Sequence, residues 1–309
     1  MHILVTGSSG LIGTALVERL VTDGHTVTRL VRPGPAAAPC PTGVSDVVWD
    51  PGRGSIDADA LAAGPALDGV VHLAGAGVGD KRWSAARREV IRSSRTRPTG
   101  LVAETLAALP VPPPVLVSAS AVGYYGDRGE DVLDEGSPAG RGFLADVCVA
   151  WEAAAAPAAT AGIRTVLLRT GIVLSPTGGA LAKQLPLFRL GLGGRIGSGR
   201  QYRSWITLDD EVGVILHCLA DPSLSGPVNA TAPTPATDAR LAEALGDALH
   251  RPSFLAVPTP ALKLVLGAEM ATDMVLASQR VLPTRLTAAG YPFLHTDLDE
   301  AVRSVVVRV

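Results

Sequence analysis

The amino-acid sequence predicts an α/β fold, in which a doubly wound parallel sheet carries a smaller, mostly helical C-terminal subdomain. Two observations lead to this prediction. Up to Thr170, short apolar runs alternate with stretches of helical periodicity, a pattern typical of parallel strands that helices cover on both faces. After Thr170 the alternation breaks and glycines crowd residues 178–199, which indicates a loop-rich region.

The first predicted elements form a strand, a turn and a helix. The β-branched run at residues 3–6 reads as a buried strand, and a glycine-rich turn leads from it into a helix that Gly24 ends. Further strands are predicted at residues 26–31, 47–49, 70–74, 115–118 and 165–169, with helices at 83–108 and 142–160. Two more segments, 204–207 and 227–230, are candidates for returning to the sheet.

Composition excludes several classes of function. The 309 residues carry a net charge of −2 and no basic stretch, so a nucleic-acid partner is not expected. Three separated cysteines and six scattered histidines predict neither a disulfide framework nor a metal site. The sequence shows no signal-peptide layout and no apolar run of membrane-spanning length. We therefore expect a cytoplasmic protein with a small-molecule partner and no membrane contact; the sequence leaves the oligomeric state open.

The turn after the first strand carries the strongest functional signal. Gly7 permits a tight turn, Gly10 lets the backbone approach a ligand, and Gly13 lets the helix pack closely on the strand. The helix N-terminus offers unpaired amides and a positive dipole end to a diphosphate. This context predicts a Rossmann-type dinucleotide site. Its predicted pyrophosphate-binding residues are Gly7, Ser9, Gly10, Leu11, Ile12 and Gly13.

The end of the second strand indicates which dinucleotide binds. NAD-binding sites place an acid here to hold the ribose hydroxyls, but this chain has Arg29 and Arg32 and no acid before Asp46. A guanidinium grips a 2′-phosphate that a carboxylate would repel. We therefore predict NADP(H) as cofactor and Arg32 as the residue that selects it; Arg29 is the weaker candidate.

These features set the predicted domain boundaries. Residues 1–174 form the dinucleotide-binding domain, and residues 205–230 are expected to return to it. Residues 175–204 and 231–309 form the substrate-side loop and the C-terminal subdomain, where short helices alternate with prolines.

Several further motifs resemble those of the extended short-chain dehydrogenase/reductase family, and more narrowly its atypical, epimerase-like subgroup with a small extra C-terminal domain. The motifs are His72-Leu73-Ala74-Gly75, Ser118 to Gly126, Phe143 to Glu152, Gly191 to Gly194, Arg203 to Asp210 and Arg280 to Pro283. The resemblance covers nearly the whole chain. It implies that the cofactor is lined by His72, Leu73, Ala74, Gly75, Ser118, Arg169 and Gly171.

The resemblance also exposes a departure at the catalytic centre. Family members of known chemistry carry Tyr-x-x-x-Lys, in which tyrosine transfers a proton and lysine lowers its pKa while holding the ribose. In this chain Leu144 and Cys148 stand at those positions, and neither side chain can replace them. Tyr124 or Tyr125, with Ser120 orienting a carbonyl, is the predicted substitute; packing in a turn is the other interpretation of both tyrosines.

Cations and one tryptophan crowd the glycine-rich stretch. The predicted substrate residues there are Lys183, Arg200, Gln201 and Trp205. Such a set suits an anionic or nucleotide-linked ligand, although a solvated basic loop has the same composition. The sequence thus predicts an NADP-dependent oxidoreductase or epimerase-like enzyme that transfers hydride to or from a carbonyl or alcohol carbon. The alternative is a non-catalytic NADP(H)-binding regulatory or redox-sensing protein, which the missing Tyr-Lys pair favours.

Overall fold

The computed structural model describes residues 1–34 and 40–306, so the last three residues of the predicted C-terminal subdomain lie outside it. The strands are β1 (His2–Thr6), β2 (Thr26–Val31), β3 (Val44–Asp50), β4 (Ser55–Ile56), β5 (Gly69–His72), β6 (Val115–Ala121), β7 (Val132–Leu133), β8 (Arg164–Thr170), β9 (Ile172–Leu174), β10 (Gly194–Ile196), β11 (Tyr202–Arg203), β12 (Trp205–Thr207), β13 (Gly226–Ala230), β14 (Ala236–Thr237), β15 (Leu255–Val257) and β16 (Arg280–Val281).

The helices follow the same chain order. They are α1 (Leu11–Thr22), α2 (Ala58–Ala63), α3 (Ala85–Ala108), α4 (Phe143–Ala153), α5 (Ala156–Thr160), α6 (Gly179–Arg189), α7 (Leu208–Ala220), α8 (Asp238–Leu249), α9 (Thr259–Leu266), α10 (Ala268–Met270), α11 (Thr284–Ala288) and α12 (Leu298–Val306). A 3₁₀ turn covers Val122–Tyr125, and a π-helical turn covers Ala271–Leu276.

The central sheet has the strand order β13-β8-β6-β5-β1-β2-β3-β4. All neighbours pair in parallel except β3 and β4. From β1 the chain winds outward through β2 and β3, then crosses back to β5 on the other side of β1. The predicted doubly wound α/β fold is therefore confirmed, and the switch point between β1 and β5 opens a crevice at the carboxyl ends of these strands.

Two apolar layers cover the sheet. On one face, Ile3, Val5 and Val71 pack against α1 and α7 through residues such as Leu16 and Ile215. The opposite layer joins Leu4 and Val70 to α2, α3 and α5; its helical members are Leu61, Val102, Leu106 and Ala158. Because successive side chains of a strand point to opposite faces, the short apolar runs supply both layers at once.

A third apolar cluster lies in the C-terminal region. It joins Leu181 and Leu185 of α6 to Leu245 of α8 and Val302 of α12, with Trp205 enclosed among them. One expectation about this region is wrong in part: residues 226–230 join the central sheet beside β8, but β12 pairs with β9 in a separate two-stranded sheet. The proposed domain boundaries remain a prediction.

The predicted helix at residues 142–160 is two helices, since α4 ends at Ala153 and α5 begins at Ala156. Residues 143–160 together reach the length and mean hydropathy of a membrane-spanning helix, contrary to the expectation from sequence. Their apolar character has a local explanation, because Ala145, Cys148 and Trp151 of α4 are buried in the fold.

Candidate functional site

The glycine turn at the switch point has the geometry that its sequence predicts. Gly7 has φ +68°, and a Cβ on it would lie 2.8 Å from the carbonyl carbon of Leu73. A Cβ on Gly13 would overlap the carbonyl oxygen of Gly7, so glycine is needed for helix α1 to pack on the turn. Gly10 is exposed, and a Cβ there would meet a single atom, the Gly7 oxygen at 3.3 Å. The turn thus leaves open space above Gly10 for a ligand.

Helix α1 begins at this open space, and no side chain in the described part of the chain caps its first amides. Gly10 is its N-cap, no side chain caps it, and its first turn holds no acidic residue. By contrast, Thr207 and Thr237 cap α7 and α8 with their hydroxyl oxygens. Ser9 is exposed beside Gly10. A helix start with unsatisfied amides and no competing carboxylate fits a diphosphate.

Leu11 and Ile12 are half-buried in the first turn of α1. The Leu11 side chain faces the loop after β9, because a Cβ on Gly178 would lie 3.0 Å from it. That loop therefore borders the open space at the start of α1.

The two arginines at the end of β2 have different surroundings. Arg29 pairs side by side with Asp46 of β3 and donates to both of its oxygens, at 2.7 and 2.9 Å. This ion pair raises the pKa of Arg29 and lowers that of Asp46, chiefly through the hydrogen bond between them. Arg32 is exposed, and its guanidinium has no hydrogen bond or ion pair within residues 1–34 and 40–306. Arg32 is thus the guanidinium available to a ligand at this strand end.

His72 is a structural residue, contrary to the prediction that it lines the cofactor. Its ring is fully buried, with Nδ1 2.8 Å from the Thr6 hydroxyl and Nε2 3.0 Å from the Thr99 hydroxyl. Thr6 Oγ1 already accepts the amides of Leu73 and Ala74, so its proton goes to Nδ1 and the ring carries its hydrogen on Nε2. Burial lowers the pKa of His72 to about 4, so the ring is neutral at pH 7.

The backbone after His72 forms the floor of the crevice. Leu73 and Ala74 lie directly beneath Gly7, and Gly75 is exposed. On its other side Gly75 contacts Arg95 of α3, whose Cγ and Cζ would each lie 3.5 Å from a Cβ at that position.

A buried polar network occupies the carboxyl end of β8, and it corrects three predicted roles. Arg169 donates to both Glu152 oxygens, at 2.8 and 2.9 Å, and to the Tyr125 hydroxyl at 3.0 Å. The Ser120 hydroxyl donates to Glu152 at 2.7 Å. The Tyr125 hydroxyl donates to Asn229 at 2.7 Å, and burial raises its pKa to about 12. Because Tyr125 is 0% exposed and these groups satisfy one another, the network is structural rather than catalytic.

Three more of the predicted site residues, Tyr124, Ser118 and Gly171, lie near this strand end in different surroundings. Tyr124 is half-buried and its ring lies 3.4 Å from Arg169 Cζ, so it is held by a cation–π contact. The hydroxyl of Ser118 is buried without a hydrogen-bond partner among the described residues. Gly171 packs against the carbonyl of Ser204 and the Thr231 methyl group, which gives it a role in joining β8 to the C-terminal region.

Helix α4 has no proton relay at the predicted positions. Leu144 is half-buried beside Gly123. Cys148 is buried, and burial raises the pKa of its thiol to about 12, so it carries no charge at neutral pH. The departure seen in the sequence is therefore a departure in structure as well.

Comparison with known proteins agrees with this geometry. Residues 3–230 match the model of the NAD dependent epimerase/dehydratase family, and residues 257–305 match a domain of unknown function. The chain belongs to the NAD-dependent epimerase/dehydratase family. An epimerase family protein of Mycobacterium bovis is 44% identical over 306 residues, which cover 99% of this chain and 98% of that protein.

Solved structures extend the comparison. The human epimerase family protein SDR39U1, crystallised with NADPH, has a TM-score of 0.87 and 34% identity, with 100% of both chains covered. A nucleoside-diphosphate sugar epimerase of Corynebacterium glutamicum has a TM-score of 0.78 and 36% identity, and the match covers 99% of this chain and 58% of that one. MoeE5 in complex with UDP-glucuronic acid and NAD, at 18% identity and a TM-score of 0.76, shares the fold.

The predicted substrate residues of this epimerase-family chain are not assembled into one site. Lys183 is exposed and donates to the Gly79 carbonyl at 3.0 Å. Arg200 is exposed and pairs with Glu130 at 3.3 Å. The other two predicted substrate residues, Gln201 and Trp205, are buried in the fold and do not line a ligand site. Gln201 is buried and donates to the Ile196 carbonyl, and Trp205 is 0% exposed with its indole N–H on the Thr234 carbonyl. Both contribute to the C-terminal core.

Sequence reasoning missed a second set of residues around the crevice. Asp273 of the π-helical turn accepts the amide of Phe143 at 2.9 Å, so the C-terminal region reaches the start of α4. Met274 lies against Gly79. Arg95 lies on the buried face of α3, in register with Ile91 and Thr99. This i, i+4 spacing could have identified Arg95 from the sequence, because an arginine is almost never fully buried on a helix unless another group pairs with it.

Proposed function

We propose that this protein binds NADP(H) across the β1–β5 switch point and is an NADP-dependent oxidoreductase or epimerase-like enzyme. The observation that carries the proposal is the open space above Gly10, where the uncapped start of α1 faces a ligand site and exposed Arg32, without a partner among residues 1–34 and 40–306, lies at the neighbouring strand end. The human relative crystallised with NADPH supports the choice of cofactor.

The chain's own residues fit this group by their chemistry. The amides of Leu11 and Ile12 would hold the diphosphate, and the Arg32 guanidinium would hold the 2′-phosphate. Leu73 and Ala74 would form the floor beneath it. When bound, the nicotinamide supplies a hydride acceptor or donor.

The substrate is proposed to be a small, nucleotide-linked or anionic molecule with a carbonyl or alcohol carbon. Support comes from the similarity to the Corynebacterium glutamicum nucleoside-diphosphate sugar epimerase. With Ser120 and Tyr125 committed to the buried network, Tyr124 is the remaining candidate among the predicted residues for transferring a proton to the substrate oxygen.

The cofactor choice is tested with Arg32→Glu. Removing a charge-assisted phosphate contact costs roughly 1.5–3 kcal/mol, so we expect the Kd for NADPH, measured by fluorescence titration, to rise about 10- to 150-fold. The Kd for NADH should change less than about threefold. Arg303→Glu makes the same charge change at an exposed position of α12 and should leave both constants unchanged. Equal losses for both cofactors would show that Arg32 does not recognise the phosphate.

One observation favours the second candidate, a non-catalytic NADP(H)-binding regulatory or redox-sensing protein. Leu144 and buried Cys148 stand where a proton relay is expected, and Tyr125 is enclosed. A panel of carbonyl substrates with NADPH separates the candidates through loss of nicotinamide absorbance. Turnover that disappears in Tyr124→Phe supports the enzyme, and tight binding without turnover across the panel supports the regulator.

A further inference from the structure

Arg95 is an unusually placed cation at the floor of the crevice. It belongs to the middle of α3 and is 9% exposed. Its guanidinium carbon lies 5.0 Å from the centroid of the Trp151 ring of α4, and it would lie 3.5 Å from a Cβ built on exposed Gly75, which follows β5. The side chain is therefore enclosed by α3, α4 and the crevice floor.

The protein does not balance this charge. Nη1 donates to the Ile91 carbonyl at 3.1 Å, and no other hydrogen bond or ion pair reaches the guanidinium within the part of the chain that the structure describes. The cation–π contact with Trp151 offsets part of the free-energy cost of removing the guanidinium from water. Nε and Nη2 are not among the fully buried unpaired atoms, so these two donors keep some exposure to solvent and can reach a ligand.

A second arginine increases the imbalance. Arg87 lies two helical turns before Arg95 on α3, and its positive charge acts against that of Arg95. The Nε atom of Arg87 is itself buried with no hydrogen-bond partner among the described residues. Asp80, the acid nearest to Arg87, is 3.7 Å away and largely exposed. Arg87 also donates from Nη2 to the Gly77 carbonyl, so Nε is its buried donor without a partner in the described part of the chain.

We propose that Arg95 is a cofactor-binding residue whose unused N–H groups donate to ribose or phosphate oxygens in the nicotinamide half of NADP(H). This inference rests on the proposed function. In the family pattern a lysine of α4 holds the ribose, and here buried Cys148 occupies that position. Arg95 brings a permanent cation to the same α3–α4 boundary from the neighbouring helix.

The strand order assigns Arg95 to the nicotinamide half. Arg32 follows β2 on one side of β1, and Gly75 follows β5 on the other side. A dinucleotide whose diphosphate lies at the glycine turn after β1 therefore extends its 2′-phosphate half toward Arg32 and its other half toward Gly75 and Arg95.

The test compares two ligands and two arginines. Arg95→Met keeps the apolar stem against Trp151 and removes the charge, and exposed Arg97→Met is the matched control on the same helix. Isothermal titration measures the Kd for NADPH and for adenosine 2′,5′-bisphosphate, which lacks the nicotinamide half. We expect Arg95→Met to weaken NADPH at least tenfold and to change the Kd of the bisphosphate less than twofold. Arg32→Glu should weaken both ligands.

Thermal unfolding without ligand separates binding from folding. Because the Arg95 guanidinium makes one hydrogen bond and no ion pair among the described residues, Arg95→Met should keep or raise the ligand-free Tm while reducing the rise in Tm that NADPH produces. Unchanged NADPH affinity in Arg95→Met, with normal binding by the unsubstituted protein, overturns the inference and leaves the proposed function standing. Failure of the unsubstituted protein to bind NADPH overturns the proposed function itself.

Discussion

Single residues at the end of β8 show how a buried ion pair determines the roles of its neighbours. The side chains of Arg169 and Glu152 are 3% and 9% exposed. Glu152 accepts two N–H groups of Arg169 and the hydroxyl of Ser120. Each partner left alone would be a buried group without compensation. The network therefore joins β6, β8 and α4, and the hydroxyl of Ser120 is committed to it.

The structural role of the ion pair is tested by removing the negative charge of Glu152. Glu152→Gln keeps the shape of the side chain but leaves Arg169 uncompensated, so we expect the free energy of unfolding to fall by roughly 3–5 kcal/mol in urea titration. Glu130→Gln is the matched control, since Glu130 pairs with Arg200 at 75% and 81% exposure, and its effect should stay below about 0.5 kcal/mol. Equal small effects of both variants would contradict a structural ion pair.

The type of a residue indicated what its side chain can do chemically, but not which residues it contacts in the fold. The glycines of the turn and the exposed position of Arg32 were predictable because local backbone geometry and strand position determine them. The roles of Ser120 and Tyr125 were not, since their partners lie 32 and 104 positions away in the chain. Arg95 was missed although its i, i+4 spacing with Ile91 and Thr99 placed it on the buried face of α3.

At the scale of elements, the first helix depends on the contact between Gly13 and Gly7. A Cβ on Gly13 would overlap the Gly7 carbonyl oxygen, whereas a Cβ on Gly100 of α3 would meet its nearest atom, the Ala154 oxygen, at 4.0 Å. The two positions thus make a matched pair of helical glycines, one constrained by packing and one unconstrained.

Gly13→Ala should destabilise the protein by roughly 1–3 kcal/mol through overpacking, and it should weaken NADPH binding because the turn must shift. Gly100→Ala should stabilise by up to about 1 kcal/mol, since alanine loses less backbone entropy in a helix. Thermal unfolding and fluorescence titration measure both effects. A Gly13→Ala variant that binds NADPH normally would show that helix α1 does not need this close approach.

Helices and strands with a strong local sequence pattern were predicted, but the pairing of the short strands outside the central sheet was not. The parallel strands of the central sheet up to β8 follow from continuous apolar runs, whereas β4, the antiparallel edge strand Ser55–Ile56, was not predicted. The pairing of β12 with β9 depends on the register between residues 205–207 and 172–174, which periodicity does not encode. The break between α4 and α5 did leave a signal that was overlooked, because Pro157 lies in the first turn of α5, where proline is tolerated, and would interrupt a single helix over residues 142–160.

At the scale of the whole molecule, stability couples to pH through carboxyl and imidazole groups enclosed by the fold. Glu211 of α7 is 0% exposed and accepts the Thr170 hydroxyl at 2.8 Å, while its other oxygen has no partner among the described residues. Burial raises the pKa of Glu211 to about 8. The folded state therefore holds a proton on Glu211 at pH values where the unfolded chain has released it.

The sign of the pH dependence follows from proton counts. Between about pH 4.5 and pH 8 the folded state binds one more proton at Glu211 than the unfolded state, so the free energy of unfolding falls as pH rises, by up to about 1.4 kcal/mol per unit. His72, with its pKa lowered to about 4, acts in the opposite direction below about pH 6.5. The decline should therefore be clearest between pH 6.5 and pH 8.

Glu211→Gln isolates this contribution, because the amide cannot titrate and keeps an oxygen for Thr170. We compare the free energy of unfolding of the variant with that of the unsubstituted protein at each pH. The variant's advantage should be roughly 2–4 kcal/mol larger at pH 8 than at pH 5. Urea titrations at both pH values measure it, and the His72 contribution cancels in the comparison. Parallel pH profiles for the two proteins would mean that Glu211 is ionised in the folded state, and its enclosed position between α7 and β8 would then need an unrecognised cationic partner.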